Sequence, residues 1–348
     1  MINRVELEGF TIFKNNVFDF IGPGLNVVIG KNSTGKSLLF KLLYSVIYVL
    51  HRKGEANKEE LRNELAKKLK NVFMVDKIGR LTTRIQGNQR TKVTIKFSNG
   101  EVIFEFSTRH EKSVDITKLE VDRLQDAIFI PPKEVVSMLS RGFVSLYEDY
   151  QIMSEVYYDL AKKLEKPLPK GKKEGNISEL LKVLQKSGLE HLNRIYVRNK
   201  EFYTYVAGVG NLESKLLAEG YRKLLMLIYL IKNKELKRGA YLFWDEPEVN
   251  LNPSLIKVII EIMFLLSRKF RMQLFVATHD YFVLKYSDLI AKQNKYPIKF
   301  FSLYLNKKEE LQVENAKELY ELDHNAIIDE FEEIYNLDAQ IIIKQGHN

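Results

Sequence analysis

The 348-residue chain is predicted to be an α/β protein with an interrupted head. Three observations predict this. Short apolar strands alternate with amphipathic helices at both ends, a glycine-rich loop joins one such strand to a helix near the start, and a second apolar strand near residue 245 ends in two acids. The middle mixes helices with a hairpin, and is read as an insertion.

Taken in order, Val5 and Leu7 open a first strand, residues 17–20 suggest a second, and residues 25–29 form an apolar run that stops at Gly30. A helix begins near Lys36 and carries Leu38, Leu39, Leu42, Leu43, Val46, Ile47 and Leu50 at helical spacing, so one side faces a core. Residues 57–72 read as a charged amphipathic helix with Leu61, Leu65, Leu69 and Val72 as its stripe. Alternation at Val93, Ile95 and Phe97, then at Val102, Phe104 and Phe106, predicts a hairpin turning at Asn99-Gly100, both with positive φ. Residues 127–130 form another strand, closed by Pro131-Pro132, and helix follows to about Leu164. Residues 166–176, KPLPKGKKEGN, read as a surface loop. A helix is expected from Leu212, a buried strand over 241–244, a helix over 255–266 and a final core strand over 274–277. This divides the chain into 1–50 (first part of the head), 51–205 (insertion), 206–308 (second part of the head) and 309–348, an acidic tail with an amphipathic helix over 325–338 that puts Ile327, Phe331, Ile334 and Asp338 on one face.

There is no cysteine, which removes disulfides, thiolate metal sites and cysteine nucleophiles, and fits a reducing compartment. No apolar run approaches the ~20 residues of a spanning helix, and the N-terminus lacks a signal-peptide pattern, so a soluble cytoplasmic protein is expected. The net charge of +9 is uneven: residues 51–98 carry +8 and residues 309–348 carry −9. Either segment could be a solvated face; alternatively the first could meet nucleic acid and the second could dock.

GKNSTGKS, residues 30–37, matches a phosphate-binding loop in its required place, after a buried strand and opening a helix. Gly30, Lys31, Asn32, Ser33, Thr34 and Gly35 would wrap the phosphates with backbone N–H groups, while Lys36 supplies charge and Ser37 a hydroxyl to Mg²⁺. Lys36 is expected to be solvated without nucleotide. YLFWDE places Asp245 as the second Mg²⁺ partner and Glu246 as the base that activates water. In ATHD, His279 follows an apolar strand and would emerge beside Glu246 as a γ-phosphate sensor. In LLAEGYRK, Gly220 could let a second subunit's ATP approach a helix N-terminus.

The order GKNSTGKS, Ala218-Glu219-Gly220, FWDEPEVNLNP, ATHD resembles the Walker A, signature, Walker B with D-loop, and switch histidine of ABC-like ATPases in the SMC, RecF and OLD group. IFIPPKEVVSMLSRGF, YYDLAKKL and LLAEGYRKLLML extend the similarity to ATPase subunits of PARIS anti-phage systems. The resemblance implies an ABC-type P-loop ATPase head, binding ATP and Mg²⁺, that forms head-to-head dimers or larger homo-oligomers. It also implies a separate Toprim nuclease effector, released when a phage-encoded trigger is sensed. Glu248 and Asn250 would lie in a D-loop facing the partner head. The chain departs from the pattern at Ser33, where glycine is usual, and at Ala218, where the signature has serine. Gln86 and Gln125 are both candidates for the Q-loop. The alternatives are a RecF- or SMC-like ATPase that clamps DNA, and a nucleotide-gated scaffold that does not hydrolyse.

Overall fold

Two sheets clasp the helix that follows the glycine-rich loop, and the reason is visible in its sequence: apolar residues occupy almost its whole circumference. The computed structural model describes all residues except 53–56, 85–86, 140–141, 170–177, 199, 207 and 346–348. Gln86 and most of the loop read over 166–176 lie outside the described residues.

Strands β1 (Ile2–Phe10), β2 (Phe13–Asp19) and β3 (Gly24–Gly30) lead into α1 (Lys36–Arg52) and α2 (Lys58–Phe73). Then come β4 (Arg90–Phe97), β5 (Gly100–Ser107), β6 (Asp115–Val121) and β7 (Ala127–Ile130). Helices α3 (Val136–Leu139), α4 (Phe143–Tyr150), α5 (Glu155–Leu164) and α6 (Ser178–Lys186) precede a small sheet of β8 (Tyr196–Arg198), β9 (Glu201–Val206) and β10 (Gly210–Glu213). The chain continues through α7 (Glu219–Lys232), β11 (Tyr241–Asp245), α8 (Pro253–Phe270), β12 (Gln273–Thr278) and α9 (Tyr281–Asn294). It finishes with β13 (Ile298–Leu305), β14 (Leu311–Ala316) and α10 (Ala326–Gln345).

A six-stranded sheet runs β14-β13-β3-β12-β11-β7, with every neighbouring pair parallel except β13 and β14. Its parallel strands are buried on both faces, which is why they read as continuous apolar runs. An antiparallel five-stranded sheet runs β2-β1-β4-β5-β6. Between the sheets, Phe40 of α1 packs on the rings of Phe243 and Phe275, and Leu39, Leu43 and Ile47 share one core with Val28 and the inner residues of β1, β4 and β5. The opposite face of the six-stranded sheet, with Val27, Trp244 and Val276, is covered by α5 to α9.

Several expectations change. The strand β7, expected within an insertion, lies at the edge of the six-stranded sheet, while β4 and β5 extend the sheet begun by β1. The core does not end at residue 277, because β13 pairs with β3. The helix expected from Leu212 begins at Glu219, after strand β10 and a short 3₁₀ turn. Phe97 pairs with Gly100, so the hairpin turns at Ser98-Asn99 rather than at Asn99-Gly100. Gly100 answers a different need: a Cβ there would sit 1.7 Å from the Glu120 carbonyl oxygen on β6.

Candidate functional site

The C-terminal ends of β3, β11 and β12 share one edge of the parallel sheet, so Gly30, Asp245 and Thr278 arrive together there. Past Gly30, the loop over 31–35 bends into α1. Gly30 has φ 153°, and a Cβ would lie 2.5 Å from the Leu303 carbonyl oxygen, so the turn needs glycine. Ser33 holds φ 66°, a left-handed conformation that explains why glycine is usual there. The Thr34 hydroxyl donates to the Lys31 carbonyl at 2.8 Å and braces the turn.

Lys36 is not solvated. It is 6% exposed, and its Nζ donates to the carbonyls of Gly30 at 2.6 Å and Lys31 at 3.1 Å. Burial lowers its pKa, opposed by the charges of Glu246, Asp245 and Glu248. The ammonium is therefore stored inside its loop, beside the carboxylates.

Ser37 hydrogen-bonds Asp245, whose carboxyl is pushed up by burial because few groups replace its water. Asp245 Oδ1 is buried with no hydrogen-bond partner. A hydroxyl beside a carboxylate with a spare oxygen is a donor set that suits Mg²⁺, which takes few protein ligands and completes its shell with phosphate and water. Lys41, one turn beyond Ser37, also feels the Asp245 charge and is depressed by burial. Along the chain Lys41 merely interrupts the apolar run of α1; only the sheet brings it to Asp245.

Glu246 follows β11 with φ 50°, its N–H donating to the Ala277 carbonyl at 2.9 Å. His279, half exposed, holds Nδ1 3.6 Å from Glu246 and 3.7 Å from Glu248. Glu248 departs from expectation. Its carboxylate is buried and turned inward, accepting from Thr278 Oγ1 at 2.8 Å and from the His279 N–H at 3.2 Å, so it clamps the histidine segment. Burial raises its pKa. Asn250, at φ 62°, sits at the bend of the same loop.

Ala218 is exposed at the N-cap of α7 and supplies no side-chain cap, while Glu219 and Gly220 form the first turn. Gly220 has a reason inside its own chain: a Cβ would meet the Asn250 carbonyl oxygen and Leu251 Cδ2, both at 2.9 Å. Three residues later, Lys223 is buried and donates to the Val249 carbonyl at 2.7 Å. Burial pushes it down to about 8 despite Glu219, Glu248, Glu246 and Glu134 nearby. Arg222 pairs with Glu134 at 2.9 Å, tying α7 to the segment after β7. Neither Lys223, Arg222 nor Glu134 stood out in the sequence, because no local pattern marks partners so far apart.

Gln125 precedes β7 and so lies at the opposite end of the parallel strands from Asp245, away from the phosphate edge. The +8 segment is also less open than its count implied. Arg62, Lys77, Arg90, Lys92 and Lys96 pair with Asp115, Glu111, Glu105, Glu8 and Glu6 respectively, while Lys68 is buried against Asp159.

The sequence profile of the family described as "AAA domain, putative AbiEii toxin, Type IV TA system" matches residues 25–285. No curated protein matches. Among solved structures, the chain is similar to an SMC head bound to the C-terminal winged-helix domain of ScpA, at 15% identity and TM-score 0.57, over 92% of this chain and 98% of that one. It is also similar to an SMC head with an extended coiled coil, bound to the C-terminal domain of ScpA derived from Pyrococcus furiosus, at 14% identity and TM-score 0.50, over 96% and 99%. At these identities the likeness is one of fold: an ABC-type ATPase head.

Proposed function

The chain belongs to the AAA-domain family whose profile it matches, and from that premise we propose that it is a slow, Mg²⁺-dependent ATPase whose nucleotide state controls a separate effector. The observation that carries the ATPase reading is the buried Asp245 Oδ1, which lacks a partner beside Ser37 at the end of the sheet that also presents Glu246 and His279.

In this reading the backbone over 30–37, with Lys36, holds the phosphates, and Ser37 and Asp245 hold Mg²⁺. Bound magnesium would screen the charge that develops on the phosphates. Glu246 accepts the proton of the attacking water, and His279 orients the γ-phosphate. Lys36 leaves its two carbonyls for the phosphates, exchanging neutral acceptors for charged ones. Ala218 brings no hydroxyl, so a partner head contributes the backbone N–H groups of α7 alone, and turnover is slow.

The effector is proposed to be a Toprim nuclease, held by head-to-head oligomers and released on a phage trigger, as the resemblance to AriA, the PARIS ATPase subunit, suggests. The similar SMC heads are themselves bound by another protein, ScpA. No helix among the described residues is long and apolar enough to cross a membrane, which suits a cytoplasmic complex. Ion pairing across the basic segment weighs against a DNA clamp.

Glu246→Gln tests the chemistry. The amide keeps the shape but accepts no proton, so ATP binding by calorimetry should be unchanged while turnover falls roughly 100-fold or more. Wild-type turnover in the variant would remove Glu246 as the base. Co-purification of a Toprim nuclease that is lost in the Lys36→Ala protein would support the effector role, and nucleotide-indifferent binding would count against it.

A further inference from the structure

Among the described residues, helix α10 is seated on the molecule by its first two turns, through Ile327, Ile328 and Phe331. Ile327 is buried and the Phe331 ring stacks on Tyr281 with centroids 4.0 Å apart; beyond them Ile334, Tyr335, Leu337, Ile341 and Ile342 are exposed, Ile334 to 56%. These residues are not scattered. Ile327, Phe331, Ile334, Asp338 and Ile341 follow spacings of 4, 3, 4 and 3, the seam of a helix that packs along another helix.

A second stripe lies next to it. On α9, Val283, Leu284, Ile290 and Ala291 face the core, while Phe282, Tyr286, Leu289 and Gln293 repeat at 4, 3 and 4 toward the outer side, Tyr286 half-buried against the core and the other three exposed. Leu289 is 48% exposed, and Phe282 stacks on Tyr286. Lys285 and Lys292 run along one edge of this stripe, both paired with Asp288 of their own helix and Lys292 also with Glu318. Around the α10 stripe the charges are acidic: Asp329, Glu330, Glu332 and Glu333 precede Asp338.

We infer that α10 of one copy lies along the outer stripe of α9 of a second copy, and that the second copy returns the same contact. The charge pattern selects this occupant. Helix α10 itself has five acidic residues and Lys344, a net −4, while the rest of the chain carries +13 within the net +9, so α10 of one copy and the body of another attract. Pairing α10 with α10 would instead set acidic helices together, with Asp338 of each seam near its twin. With the contact returned in this way it is isologous and closes as a two-fold dimer, whereas an unreturned contact would propagate head to tail. It needs no nucleotide, and so is separate from the proposed head-to-head closure. Tyr281 is two residues beyond His279, so a docked copy rests on the segment that carries that histidine.

The absence of cysteine makes the test direct. One copy carries Phe282→Cys or Leu289→Cys, a second and differently sized copy carries Ile334→Cys or Ile341→Cys, and each of the four mixtures is oxidised mildly without nucleotide. A mixed disulfide in at least one mixture is expected, equally in a Lys36→Ala background, and fading as salt is raised. Light scattering of Ile334→Glu should show a particle of half the mass with the fold intact by circular dichroism. Cross-links confined to pairs of α10 cysteines, or no mixed cross-link in any mixture, would overturn the contact whatever the ATPase result. Retention of the wild-type mass by Ile334→Glu would do the same.

Discussion

Lys36 and Asp245 show how the site holds its charges ready. Each is buried, each is displaced from its ordinary pKa mainly by burial, and each lies near the other's charge. Lys36→Ala loses two bonds to carbonyls, about 1 kcal/mol each, yet also relieves a buried ammonium, so stability should shift by no more than about 1 kcal/mol. ATP affinity should fall by about 3 kcal/mol, or roughly 100-fold, read by calorimetry. For Asp245 the sign is opposite to that of an ordinary ion-paired carboxylate. Its folded pKa is raised, so ionisation near neutral pH costs stability that is recovered as pH falls. Asp245→Asn should therefore stabilise the nucleotide-free protein by about 1 kcal/mol while abolishing Mg²⁺-dependent turnover. A lowered melting temperature in that variant would mean that Asp245 is satisfied in the fold.

At the scale of elements, α7 and the loop after β11 act as one piece. Gly220 lets the Asn250 carbonyl approach, Lys223 holds the Val249 carbonyl, and Glu248 reaches from the same loop to Thr278 and His279. Lys223 gives this joint a pH signature. Its folded pKa of about 8 lies below the free value of about 10.4. Between about pH 8 and 10.4 the unfolded chain retains a proton that the folded chain has released, so stability rises with pH through that window. Below it both states are protonated and the cost of the buried charge is constant. Against Lys223→Met, the wild type should gain about 2 kcal/mol between about pH 7.5 and pH 9.5 in urea unfolding. Parallel stabilities at the two pH values would show that the amine titrates normally.

Over the whole molecule, stability is concentrated around α1 and on the far face of the six-stranded sheet, and α10 joins them only through Ile327 and the half-buried Ile328. Ending the chain after Asn325 should cost only about 3 kcal/mol, the burial of Ile327, the partial burial of Ile328 and one ring contact. Thermal unfolding should stay a single transition. Collapse of the fold would place α10 in the core instead. The basic segment teaches a related lesson about scale: its charge count was right, but its partners on β1, β5, β6 and α5 neutralise much of it.

What the sequence determined by itself was whatever depends on near neighbours along the chain. The glycine loop at residues 30–37, the apolar strand ending at Asp245 and Glu246, the helix beginning at Lys36 and the amphipathic face of the tail are local patterns, set by backbone freedom and by periodicity. What only the tertiary structure decided depends on residues brought together from afar. Gly100 is glycine because Glu120 lies against it, Gly220 because Asn250 does, and Glu248 turns inward because Thr278 and the His279 N–H are there to satisfy it. Lys41 and Lys223 take their depressed pKa values from burial that no local pattern records. Steric and electrostatic demands of that kind act through space, so they become legible only once the strands have aligned.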